Sequence, residues 1–179
     1  MLPEYACCPP RFDYWTLEER RNLQEERLKA QIRHVYENAP FWRKKFGETG
    51  ISPGDIKGLD DLSKIPFTTR QEIQEDQEKN PPFGSYLATH PSQLFQFFAT
   101  SGTTGKPLNR AFSKRDWDLY IGRMASYTPL NPGEVVAVLG PTDGLMGPSA
   151  GAASRMLWGA MVVRLGRFST PEKINLNPA

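Results

Sequence analysis

The sequence predicts an α/β protein, a helical N-terminal head followed by the start of a parallel, doubly wound sheet. Three observations predict it. Apolar residues recur at helical spacing between capping signals up to about residue 80. Pro81, Pro82 and Gly84 then break the chain. From residue 92 onward, compact apolar runs alternate with helical stretches, an order that predicts parallel strands joined by right-handed crossovers. The break divides the chain into a helical region, 1–84, and an α/β region, 85–179. A length of 179 residues suits one domain, or one domain with a small appendage.

The head begins with a proline- and aromatic-rich stretch, residues 1–15, that has no period. "YWTLEERRNLQEERLKAQIRHVYENAP" then reads as a helix, with Thr16 and Glu19 forming a capping box at its start. Leu28, Ile32, Val35 and Ala39 lie on one face of it, and Pro40 marks its end. "FWRKKFGETG" is a short basic turn or helix whose Phe41, Trp42 and Phe46 are core candidates. Short helices between turns follow, the last opened by the capping box of Thr69 and Glu72.

In the second region "QLFQFFA" reads as a strand and "NRAFS" as a short return strand. Ser113 and Asp116 cap a helix through "KRDWDLYIGRMASY". "GEVVAVLG" and "AMVVRLG" are strands of the fully buried kind. Between them "PTDGLMGPSAG" is a loop and "PSAGAASRMLWG" a helix ended by Gly159. Thr170, Pro171 and Glu172 carry the start signals of a further helix.

Composition limits the function classes. A net charge of +2 argues against a dedicated nucleic-acid binder. The charge is uneven: residues 1–80 hold 13 Lys/Arg against 15 Asp/Glu, and residues 81–179 hold 9 against 5. The α/β half is therefore the basic one, a balance that fits an anionic small ligand and that many solvated surfaces also show. Cys7 and Cys8, with His34 and His90, are too few for a structural metal site, so no metal ligands are assigned. Reduced adjacent thiols, no signal-like N-terminus and no apolar run near the ~20 residues of a membrane span predict a cytoplasmic protein with no membrane partner.

Chemistry concentrates in "ATSGTTGKP", residues 99–107. Glycines let backbone N–H groups converge on an anion. Ser101, Thr103 and Thr104 add hydroxyls, and Lys106 adds a point charge. Gly102 and Gly105 complete the candidate phosphate-binding set. The loop is not of the Walker A type, because Pro107 stands where Ser or Thr is required and Thr100 where the first glycine is. A plain surface hairpin would share the composition.

The stretch resembles the phosphate-binding signature of adenylate-forming enzymes, the superfamily of acyl-CoA synthetases. "LKAQIRHVYENAPFWRKKF", "LDDLSKIPFTTRQEI" and "FGSY", in this order upstream, are similar to the head of the phenylacetate–CoA ligase family. The resemblance runs from about Trp15 to Gly166. It implies the first part of a large N-terminal domain, with 85–179 as an incomplete nucleotide-binding region. It also implies ATP with Mg²⁺, coenzyme A and a small-molecule carboxylic acid as partners, and a homodimer. A carboxylate would attack the α-phosphate of ATP, and the coenzyme A thiol would then displace AMP. Ser101, Gly102, Thr103, Thr104, Gly105 and Lys106 would hold the β- and γ-phosphates. Gly144, Leu145, Met146 and Gly147 stand where family members carry an acid-pocket segment resembling "YGxGLFTGG". Its tyrosine is missing here, and Met146 replaces an aromatic, so a phenyl acid is not implied.

The family's later Mg²⁺- and adenine-binding motif, its ribose-binding aspartate and its C-terminal lysine domain have no counterpart in these residues, and no catalytic residue is assigned. The expectation is an N-terminal piece of a longer enzyme, completed by the rest of that enzyme or by another chain. Three other readings remain at this point: a non-catalytic nucleotide-binding or assembly module, an adenylyltransferase of the same branch acting on a deazaflavin cofactor, and an unrelated α/β domain.

Overall fold

Thr16 opens the first helix as its sequence context requires. Its hydroxyl accepts the Glu19 N–H at 3.2 Å and the Glu19 carboxylate takes the Thr16 N–H at 2.7 Å, so two donors of the first turn satisfy each other's residues. Helix α1 spans Leu17–Asn38. The computed structural model describes residues 15–100, 106–127, 129–142 and 144–166. The start signals at Thr170, Pro171 and Glu172 lie outside the described residues. Among the described residues no helix is long and apolar enough to cross a membrane.

Pro40 ends α1 by forcing Ala39 into extended backbone, φ −122° and ψ 111°. It then starts α2, Pro40–Glu48, where its missing N–H leaves no bond unmade. Ile32, Phe46 and Ile56 form the core of this half, and Leu28, Val35, Trp42 and Ile65 pack against them. The spacing of Leu28, Ile32 and Val35 thus faces the core as expected. Short 3-10 helices at Pro53–Asp55 and Leu59–Lys64 lead to α3, Arg70–Lys79, which the Thr69–Glu72 capping box opens.

Glu72 has a second task. The Lys45 ammonium, on a residue only 8% exposed, meets its carboxylate at 2.6 Å. That bond, and behind it the Thr69 backbone N–H, lowers the Glu72 carboxyl to about 2. One side chain therefore caps α3 and pairs with a cation of α2.

The described residues divide at Leu94 and Phe95 into two compact units. In the second, β1 (Leu94–Ala99) pairs with β2 (Asn109–Ser113) as a two-stranded sheet. Helix α4, Lys114–Tyr127, follows directly, and the Ser113 hydroxyl accepts the Asp116 N–H as its N-terminal cap. Strand β3 (Val135–Val138) and strand β4 (Met161–Arg164) run parallel, with Val135 opposite Met161 and Val138 opposite Arg164. Between them lies α5, Met146–Met156, as a β-α-β crossover requires.

The core of this unit is Phe98, Trp117, Ile121 and Ala150. Phe98 and Trp117 stack with ring centroids 5.4 Å apart. Ala150, Ala152 and Ser154 are essentially fully buried on α5, small residues that let α5 lie close to its neighbours.

Two local expectations need correction. Helix α5 begins at Met146, two residues before Pro148, so Met146 and Gly147 belong to its first turn instead of a loop. Pro148 is tolerated there because a first-turn N–H has no helical partner anyway. Among the described residues the strands form two pairs, β1 with β2 and, in parallel, β3 with β4. Finally, "VVAV" and "MVVR" are not buried on both faces: Val135 and Met161, opposite each other, are 49% and 63% exposed. Helix α5 packs on both strands, and a pair of strands needs cover on both faces to bury every apolar residue.

Candidate phosphate-binding site

The stem of the Gly/Thr loop is fixed by two reciprocal bonds. The Thr100 N–H donates to the Leu108 carbonyl at 2.9 Å. The Leu108 N–H donates back to the Thr100 hydroxyl oxygen, also at 2.9 Å. Leu108 is buried, 6% exposed, so its apolar side chain anchors the exit while the bonds close the entrance. Of the candidate phosphate contacts, Ser101, Gly102, Thr103, Thr104 and Gly105 lie outside the described residues. Lys106 and Pro107 lie at the exit and are exposed, which puts the lysine on the accessible side of the stem.

A second segment meets this stem. The Ala99 N–H, at the end of β1, donates to the Gly144 carbonyl at 3.2 Å. Gly144 has φ 72°, a left-handed conformation that favours glycine. The structure therefore brings the candidate acid-pocket segment to the entrance of the candidate phosphate loop, although the two are far apart in sequence. Gly144 and Gly147 are exposed and Leu145 is half-buried. Met146 goes the other way and packs against the aromatic core around Phe98 and Trp117.

The segment is itself held at two points. The Ser149 hydroxyl donates to the Thr142 carbonyl, and the Ser149 N–H donates to the Leu145 carbonyl. On its other side Gly166 lies against the Gly140 backbone: a Cβ there would sit 2.5 Å from the Gly140 oxygen and 2.9 Å from Pro141 Cα. Gly140 and Gly166 both follow parallel strands, so the whole assembly sits beyond the carboxyl ends of β3 and β4, where ligands of open α/β sheets bind. Among the described residues no group of three or more His, Cys, Asp or Glu converges on one point to hold a metal.

Sequence reasoning singled out the loop and the glycines as candidates, and did not single out Ser149 or Gly166. A glycine directly after an apolar strand run was the available signal for Gly166. Ser149 gave none, because its partner is a backbone carbonyl.

No family model matches the chain. Similarity to individual proteins is extensive. It is 34% identical over 165 residues to a phenylacetate–coenzyme A ligase of Aromatoleum evansii, covering 89% of this chain and 36% of that one. It is 37% identical over 110 residues to the phenylacetate–coenzyme A ligase of Escherichia coli K12, covering 62% of this chain and 24% of that enzyme. Among solved structures, 2-hydroxyisobutyryl-CoA ligase with 2-HIB-AMP and CoA, in the thioesterification state, superposes with a TM-score of 0.83 at 28% identity. That match covers 90% of this chain and 35% of the ligase. An open conformation of the same ligase gives a TM-score of 0.82 at 27% identity. The chain thus spans between 24% and 38% of the length of these relatives.

Proposed function

The chain is related to the N-terminal portion of the phenylacetate–CoA ligase family, and from that premise we propose that it supplies the phosphate-holding part of an acid–thiol ligase. The reaction would take two steps. A carboxylate oxygen attacks the α-phosphorus of ATP, and pyrophosphate leaves with its bonding electrons. The sulfur of coenzyme A then bonds to the acyl carbon, the mixed-anhydride oxygen departs on AMP, and the thiol proton goes to solvent or a base.

In this reading Ser101, Gly102, Thr103, Thr104, Gly105 and Lys106 bind the β- and γ-phosphates, within the nucleotide-binding region 85–179. Backbone N–H groups and the lysine charge would offset the charge that builds on departing pyrophosphate. The closed stem at Thr100 and Leu108 supports this role, because loop ends fixed in advance leave less to reorganise as charge develops. Mg²⁺ would arrive on the ATP oxygens. Gly144, Leu145 and Gly147 would border the carboxylic acid. Met146, committed to the aromatic core, would support that border from behind.

The observation that carries the reading is the meeting of the two motif segments at Ala99 and Gly144, 3.2 Å apart. It supports a common site for phosphate and acid, which a two-substrate adenylation requires. The test is ATP–pyrophosphate exchange with a panel of carboxylic acids. Exchange that depends on any one acid supports ligase chemistry in this chain. Saturable ATP binding without exchange would limit the chain to holding the nucleotide. Failure to bind ATP at all would contradict the proposal.

A further inference from the structure

We propose that residues 140–142 and 144–147 act as a strut on the Thr100–Leu108 stem of the candidate phosphate loop, with Ser149 and Gly166 as its positioning residues. The inference rests on the phosphate-binding reading of residues 101–106. It adds a support for the Thr100–Leu108 stem that lies outside the loop.

The mechanical path is continuous. Gly166, at the exit of β4, touches the Gly140 backbone so closely that no side-chain carbon fits between them. Gly140 and Pro141 lead to Thr142, whose carbonyl accepts the Ser149 hydroxyl. Ser149 lies in the first turn of α5 and its own N–H is taken by the Leu145 carbonyl, so the hydroxyl ties the segment back to a rigid element. Gly144, between these ties, accepts the Ala99 N–H. Ala99 is followed by Thr100, one half of the loop stem. Displacing the segment would therefore move Gly144, release the Ala99 N–H and loosen the stem from its β1 side.

Neither residue needs to touch a ligand for this. Ser149 is half-buried and Gly166 has no side chain. Their effect would be seen in affinity for the phosphate chain, because a loop with a wandering mouth must be ordered at the moment of binding.

The experiment uses the whole chain as wild type, Ser149→Ala, Ser149→Thr and Gly166→Ala. Two quantities are read: hydrogen exchange at the Ala99 amide by NMR, and magnesium pyrophosphate affinity by calorimetry. Ser149→Ala and Gly166→Ala should speed Ala99 exchange and weaken pyrophosphate binding about three- to tenfold, the scale of one hydrogen bond. Ser149→Thr keeps the donor and should return both to within about twofold of wild type, which a purely steric role would not do. Unchanged Ala99 exchange in both alanine variants would overturn the strut whether or not pyrophosphate binds. Faster Ala99 exchange with unchanged pyrophosphate affinity would overturn its positioning role. Wild-type protein that shows no pyrophosphate binding, with Ala99 exchange still responding, would instead overturn the phosphate-binding reading and with it the functional part of this inference.

Discussion

Thr100 and Leu108 bond each other twice, backbone to backbone and backbone to hydroxyl, both at 2.9 Å. Any replacement of Thr100 without a hydroxyl leaves the Leu108 N–H without this acceptor. Thr100→Val should lower stability by about 1 kcal/mol in urea unfolding and weaken nucleotide binding. Thr100→Ser should retain both, and equal behaviour of the two variants would show that the hydroxyl does not close the stem.

The acid response follows from Lys45 and Glu72. The Glu72 carboxyl falls from its ordinary 4.5 to about 2 in the folded chain. Below 4.5 the unfolded chain takes up this proton more readily than the folded one, so the stabilisation is complete above 4.5 and is lost as pH falls toward 2. Glu72→Gln should melt at a lower temperature than wild type at pH 7, and the gap should narrow as pH is lowered through this window. Circular dichroism melts at pH 7, 4 and 3 measure it. A constant gap would mean that the pair contributes nothing through charge.

Burial separates two phenylalanines of the same half. Phe46 is 1% exposed and Phe67 is 95% exposed. Phe46→Ala should cost about 3–5 kcal/mol, and Phe67→Ala within about 0.5 kcal/mol of zero, both by denaturant titration.

Two glycines with positive φ make a paired test. Gly50, at φ 67°, has open space around it, so an alanine there should cost about 1 kcal/mol for the backbone alone. Gly84, at φ 81°, would place a Cβ 2.5 Å from the Asp76 carboxylate. That carboxylate accepts the Ser85 N–H at 2.6 Å, so Gly84→Ala should destabilise clearly more than Gly50→Ala in the same titration.

Local rules made the helices legible. The capping boxes at Thr16 and Thr69, and the stop at Pro40, depend on residues within a turn of each other. Met146 was misplaced in a loop because the helix has no capping side chain: its N-cap is Leu145, without a side-chain hydrogen bond. The two-sided burial expected of "VVAV" and "MVVR" failed because periodicity reports apolar content and not how many layers cover it. At the site, residue types made the loop a candidate, since glycine, hydroxyl and lysine each bring their own chemistry. Its support was not legible, because Ala99 to Gly144 and Gly166 to Gly140 are backbone meetings, and the Ser149 hydroxyl meets the Thr142 backbone carbonyl, all between distant or unremarkable residues.

The central claim is that residues 101–106 hold the phosphates of ATP. Titration of magnesium ATP into the wild-type chain and Lys106→Ala, with matched melting temperatures, tests it most directly. Saturable wild-type binding, weakened about ten- to a hundredfold by loss of the charged donor, is the predicted result. Absent binding, or equal affinity in the two proteins, would contradict it.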